Sequence, residues 1–360
     1  MGSRARPWTL LIAATAAGAA LAPAGGKGRA PNVPLAPLAF AGDPYGPDGA
    51  PGKESWASAF EGTFLHVVRA EGTGIVLETW REDGEAGPSV DVAGIGEAAW
   101  GDPPSCDGQD PTHTERRISI LPGGLARVPG AGWAIAIGAT TEYVCPGGAK
   151  HDASVDLLLE VDEDWAATGE PFPLRQGRPA TRRVALGLPD GPFVAWATSG
   201  EAGLASRAGI VPVDVEGCDL GFPPIYEAAG DLVAMTTRRG HDMRIRLVDP
   251  SDGSVPADVA LGAPSEPLSI ATAWAGDRLG VFFALDKAVG TGTILNHVLV
   301  EVFPDGTAAQ PVKVYSQESV ADDPAFTYHL VAVAWDGTYG IAWIEDDGYS
   351  QDLFVDEVPL

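Results

Sequence analysis

The sequence predicts an all-β protein assembled from a repeated four-stranded unit, and three observations carry that expectation. Gly and Pro are abundant, 46 and 31 of 360 residues, which disfavours long helices because Gly leaves the backbone loose and Pro lacks an amide donor. Apolar residues reach 45% and include 10 Trp, 11 Phe and 7 Tyr, enough for a core and unlike a disordered chain. The third observation is a recurring pattern, a turn containing Gly or Asp followed by a strand in which large and small apolar residues alternate.

The chain opens with Arg4 and Arg6, an apolar stretch over residues 8–21, and then Ala22-Pro23-Ala24. Small residues at the two positions that a signal peptidase reads define a cleavable secretory signal over residues 1–24. The stretch falls short of the ~20 apolar residues a bilayer requires, so no membrane span is expected in the mature chain. Cys106 is the first cysteine, too far from the cleavage site to carry a lipid, and the product is expected to be secreted or periplasmic. Residues 25–55 are rich in Pro and Gly and read as a linker. The folded domain is expected over residues 56–360.

Within that domain the apolar strands centre on Val76, Ile135, Val194, Val233, Val281 and Ile341, spaced by 59, 59, 39, 48 and 60 residues. A unit of this length holds four short strands and their turns, the size of one β-propeller blade. The clearest unit has strands at residues 270–274, 279–285, 294–303 and 310–315, with Pro304-Asp305-Gly306 as a hairpin turn whose two central positions are expected at positive φ. Blades stack face to face and bury both sides of each strand, so their second strands should read apolar throughout. The predicted fold is a single propeller of four-stranded antiparallel sheets, with six blades, five and seven being the alternatives.

The unit Val333-Ala334-Trp335-Asp336-Gly337-Thr338-Tyr339-Gly340-Ile341-Ala342-Trp343, with a weaker copy around Trp274, resembles the repeat of exported bacterial β-propeller proteins. That resemblance covers residues 225–360 best, and it implies a binding scaffold more than any one reaction. The last unit has three strands, near residues 328–335, 339–345 and 352–358. An open edge there is a liability, and residues 33–40 are the candidate to fill it, although Pro34 and Pro37 remove two donors.

Three cysteines in an exported chain leave one over. Cys106 and Cys145 sit in polar segments containing Gly or Pro and are the expected pair, with Cys218 free. There is no Gly-x-Ser-x-Gly turn, no Cys-x-x-Cys and no pair of His at metal-binding spacing, so no cofactor or metal is expected. Asp346, Asp347 and Asp352 offer hard oxygen ligands for Ca²⁺, but in no recognised ligand spacing.

A net charge of −26 works against nucleic acid and anionic membrane surfaces. The strand alternation places the loops joining second to third strands, and those joining one unit to the next, on one face. Arg178, Arg182, Arg183, Arg238, Arg239 and His241 fall there, with Glu345, Asp346 and Asp347 across the channel mouth, a polarised rim for a protein or glycan partner. The function expected is an exported, non-enzymatic binding or cell-surface scaffold. The alternative is a polysaccharide-acting hydrolase or lyase using carboxylates on the loop-rich face, and a third reading is an envelope component that works with a partner.

Overall fold

The computed structural model describes residues 56–61, 64–80, 87, 89–94, 96, 100–103, 105, 106, 108–177, 180, 182–219, 224–239, 242–261, 269–289, 292–319, 326–335, 338–346 and 351–359. The signal, the linker and the proposed closing strand at 33–40 lie outside them. The described chain is all-β, with six antiparallel sheets following one another in sequence.

Sheet 1 holds β1 (Trp56–Glu61), β2 (Phe64–Glu71), β3 (Gly74–Trp80) and β4 (Val90–Gly94). Sheet 2 holds β5 (Thr112–Val128), β6 (Gly132–Val144), β7 (Lys150–Val161) and β8 (Phe172–Gly177), and sheet 3 holds β9 (Arg182–Leu188), β10 (Gly191–Ala197), β11 (Ala202–Ser206) and β12 (Gly209–Val213). Sheet 4 is β13 (Tyr226–Ala229), β14 (Leu232–Arg239), β15 (Asp242–Val248) and β16 (Ala257–Ala260). Sheet 5 is β17 (Ser269–Trp274), β18 (Leu279–Val289), β19 (Gly292–Val302) and β20 (Val312–Ser319), and sheet 6 has three strands, β21 (Phe326–Trp335), β22 (Thr338–Asp346) and β23 (Gln351–Pro359). Each is an up-and-down meander. The first strands pack in succession, β1 on β5, β5 on β9, β9 on β13, β13 on β17 and β17 on β21, which is a propeller-like arrangement.

Five apolar clusters fill the gaps between consecutive sheets, and the alternation within second strands explains them. In β6, Trp133, Ile135, Ile137 and Ala139 face sheet 1 while Ala134 and Ala136 face sheet 3. In β18, Leu279, Val281 and Phe283 face sheet 4 while Phe282 meets Tyr339 of sheet 6. Large residues on one side and mostly small ones on the other let twisted sheets approach unevenly, and both faces are buried as the apolar reading required. Glycine permits the closest approach of first strands: a Cβ on Gly187 of β9 would lie 1.8 Å from the Arg127 carbonyl oxygen of β5.

Two sequence expectations need correction. Val76 lies on β3, the third strand of its sheet, because His66 and Arg69 interrupt the apolar run of the true second strand β2 while Ile75-Val76-Leu77 mimics one. At the turn of Asp305 and Gly306 only Gly306 has positive φ, at 83°. The Gly306 amide donates to the Phe303 carbonyl at 2.9 Å, a tight turn closed by a left-handed Gly instead of a hairpin with two left-handed positions.

Candidate functional site

A buried ionic network joins sheets 2 and 3. Asp156 lies on β7 inside the run Val155-Asp156-Leu157-Leu158-Leu159, and its side chain is 4% exposed. One carboxylate oxygen accepts from Arg183 Nη1 and the other from Arg175 Nη1, each at 3.0 Å. Arg183 also donates to Ser119 Oγ at 2.5 Å, and Arg175 lies over the Trp196 ring at 4.2 Å. A carboxylate removed from water is tolerated only with its lone pairs satisfied, and here two guanidiniums do so. Gly138 on β6 makes the room, since a Cβ there would meet Arg183 Nη1 at 2.2 Å.

Arg175 and Trp196 form the back wall of an open cleft of about 630 Å³. The loop after β10 contributes Gly200 and Glu201, held by Thr198 Oγ1, which accepts from both of their amides. Ile210, Pro212 and Val213 of β12 form the floor, and Asp214 and Glu216 stand at the start of the link to sheet 4. Glu201, Asp214 and Glu216 are all exposed.

That link is pinned from sheet 4. Arg246 donates to the Asp214 carbonyl and approaches Cys218 Sγ at 3.8 Å, and Arg238 donates to Asp219 Oδ2 from Nε at 3.1 Å and from Nη2 at 2.5 Å. The Asp219 amide returns a bond to the Arg238 carbonyl at 2.7 Å. Gly217, with φ of +75°, passes so close to Arg239 that a Cβ would sit 3.0 Å from its Nε.

The structure revises the basic rim. Arg183 is a buried member of the Asp156 network and not a loop charge, because the second residue of β9 faces a buried acid that the sequence pattern did not single out. Arg238 is committed to Asp219. Arg182 is half-buried at the start of β9, close enough to act electrostatically on Tyr226. Arg239 is exposed at the end of β14. Glu345 and Asp346 end β22, whereas Arg178, His241 and Asp347 lie outside the described residues. Cys106 and Cys145 are at bonding distance with their Cα atoms 5.5 Å apart, and Cys218 is a half-exposed free thiol.

Among the described residues no group of three or more His, Cys, Asp or Glu could hold a metal ion, and no helix is long and apolar enough to cross a membrane. Two other titratable groups stand out. Glu227 on the first strand β13 is crowded by protein while keeping part of its surface open, and burial pushes its carboxyl up to about 8. His297 on β19 is fully buried against Tyr315, with burial lowering its pKa to about 3.

Fold and cleft together describe an all-β, propeller-like protein with an acidic opening between two of its sheets. No protein-family model matches the chain, and no curated protein matches it. Among solved structures it is similar to the phage phi92 endosialidase, at 11% identity over 88% of this chain and 60% of that one, with a TM-score of 0.44. The chain thus spans about three fifths of that protein's length. It is also similar to hydrazine synthase of Kuenenia stuttgartiensis, at 12% identity over 81% of this chain and 76% of that one with a TM-score of 0.41. TolB from Acinetobacter baumannii matches at 11% identity over 72% of this chain and 56% of that one, with a TM-score of 0.34.

The sequence reading passed over Asp156 and Glu201, and it saw Arg175 only as one of a mid-chain run of arginines and Trp196 only as the end of an apolar strand. One signal for the first was visible, an acid inside the apolar run of residues 155–159, since such a residue is buried with a partner or not buried at all.

Proposed function

We propose that the protein is an exported, non-enzymatic binding scaffold built on a six-bladed propeller. The observation that carries this reading is the Asp156 network. It ties the arginines behind the cleft into the fold, so what the opening offers is shape, apolar floor and exposed carboxylates. Such an arrangement suits recognition of a ligand by shape and charge. The secretory signal at 1–24 and the cysteine pair support an oxidising compartment, secreted or periplasmic.

The polysaccharide-acting alternative has one observation in its favour. Glu227 is held protonated near neutral pH, as a glycosidic general acid must be. Incubating the purified chain with a panel of acidic and neutral polysaccharides separates the two: binding without shortened products supports the scaffold, and product release abolished in Glu227→Gln replaces it with the hydrolase or lyase.

A further inference from the structure

We infer that the cleft between sheets 2 and 3 receives an apolar side chain flanked by lysine or arginine, as presented by a basic segment of a partner protein; this rests on the scaffold reading and names its partner's chemistry. Ile210 on the cleft floor is 47% exposed, one of three large apolar side chains so exposed among the described residues. Pro212 extends that surface. An apolar floor in water is a standing gain for any ligand that covers it.

The charges around the floor decide what that ligand carries. Glu201 and Glu216 have no ionic partner among the described residues, and Asp214, with its side chain 73% exposed, has only Arg246 at 4.0 Å. Arg175, the one cation lining the cleft, is held by Asp156 at 3.0 Å and is 10% exposed, sharing that carboxylate with Arg183. Glu201 and Glu216 therefore line the opening without an ionic partner among the described residues, and Asp214 with only a long contact to Arg246. An anionic ligand would meet them and the field of a chain of net charge −26, whereas a cationic one is steered in by both.

The geometry also fixes the link that carries two of the acids. The Glu216 amide donates to Asp214 Oδ1 at 2.9 Å, and Arg238 and Arg246 anchor the chain on either side, so the backbone that carries Asp214 and Glu216 needs little ordering when a ligand arrives. The opening at about 630 Å³ admits a few residues of extended chain, not a folded domain. Adjacent basic residues can then pair with Glu201 and Glu216, which both line it.

The test titrates the full chain with an N-acetylated, C-amidated Lys-Leu-Lys tripeptide in an isothermal calorimeter, against Glu-Leu-Glu and Lys-Gly-Lys controls. Lys-Leu-Lys should bind, Glu-Leu-Glu should not, and Lys-Gly-Lys should bind at least fivefold more weakly. Combining Glu201→Gln, Asp214→Asn and Glu216→Gln should weaken binding at least tenfold, and Ile210→Ser should weaken it severalfold, with melting temperatures checked for each. A second triple variant, Asp164→Asn, Asp190→Asn and Asp231→Asn, removes the same net charge elsewhere and should bind as the wild type does. Equal losses in the two triples would assign the effect to the overall field and overturn the site. Absence of Lys-Leu-Lys binding overturns the cleft proposal and leaves the scaffold reading intact, whereas polysaccharide turnover overturns the scaffold reading itself.

Discussion

The Arg183 guanidinium crosses from β9 to the Asp156 carboxylate on β7 at 3.0 Å, with 5% and 4% of the two side chains exposed. Removing one partner of such a pair leaves the other buried and uncompensated, which costs roughly 3–5 kcal/mol. Asp156→Ala strands two guanidiniums at once and is expected to fall in or above that range in urea denaturation. Arg175→Met should cost less, since Arg183 would still satisfy the acid. An unchanged denaturation midpoint in Asp156→Ala would show that the network contributes nothing to the fold.

Gly138 belongs to the same arrangement, because a Cβ there would lie 2.2 Å from Arg183 Nη1. Gly138→Ala is therefore expected to destabilise the wild type markedly. In an Arg183→Met background the long cation is gone, and the same Ala should cost less. The double-mutant cycle reads this directly, and strict additivity of the two changes would rule out the contact as the cause.

Cys106 and Cys145 are 39 residues apart in sequence, and closing a loop of that size contributes roughly 4 kcal/mol on the chain-entropy view. Reduction should lower the melting temperature. In denaturant without reductant, one thiol per chain is expected to react with Ellman's reagent, and three after reduction. A non-reducing peptide map that joins Cys218 to either partner would contradict the pairing.

The repeat was readable in the sequence where each strand is apolar on both faces, as in β18 and β22, and where Gly and Asp mark the turns between strands. It failed at sheet 1, where His66 sits in the second strand, buried against Trp133 and Trp165 with its Nδ1 3.1 Å from Thr79 Oγ1. A buried polar residue satisfied by neighbours from distant sequence erases the period that single-strand reading depends on. The rim was legible only as a set of charges. Whether an arginine at a strand end faces water or a buried acid is fixed by the adjacent sheet, and nothing local to Arg183 distinguishes it from Arg239.

The last prediction concerns pH, where Glu227 and His297 act in opposite directions. Burial raises the Glu227 carboxyl from its ordinary 4.5 to about 8, so the folded chain holds a proton that the unfolded chain has released. Stability from this group is complete below about pH 4.5 and is lost as pH rises towards 8. Burial lowers the His297 imidazole from 6.5 to about 3, so between those values the unfolded chain binds a proton that the folded chain does not. Its contribution is complete above about pH 6.5 and is lost as pH falls towards 3. Each slope is bounded at about 1.4 kcal/mol per pH unit, and between about pH 4.5 and 6.5 the two cancel. Measured against Glu227→Gln, the wild type should therefore lose relative stability only between about pH 4.5 and 8. Measured against His297→Gln, it should lose relative stability only as pH falls from about 6.5 to 3. Urea midpoints collected across pH 3–9 for the three proteins check both windows, and a Glu227→Gln difference that stays flat through pH 8 would place that carboxyl in water.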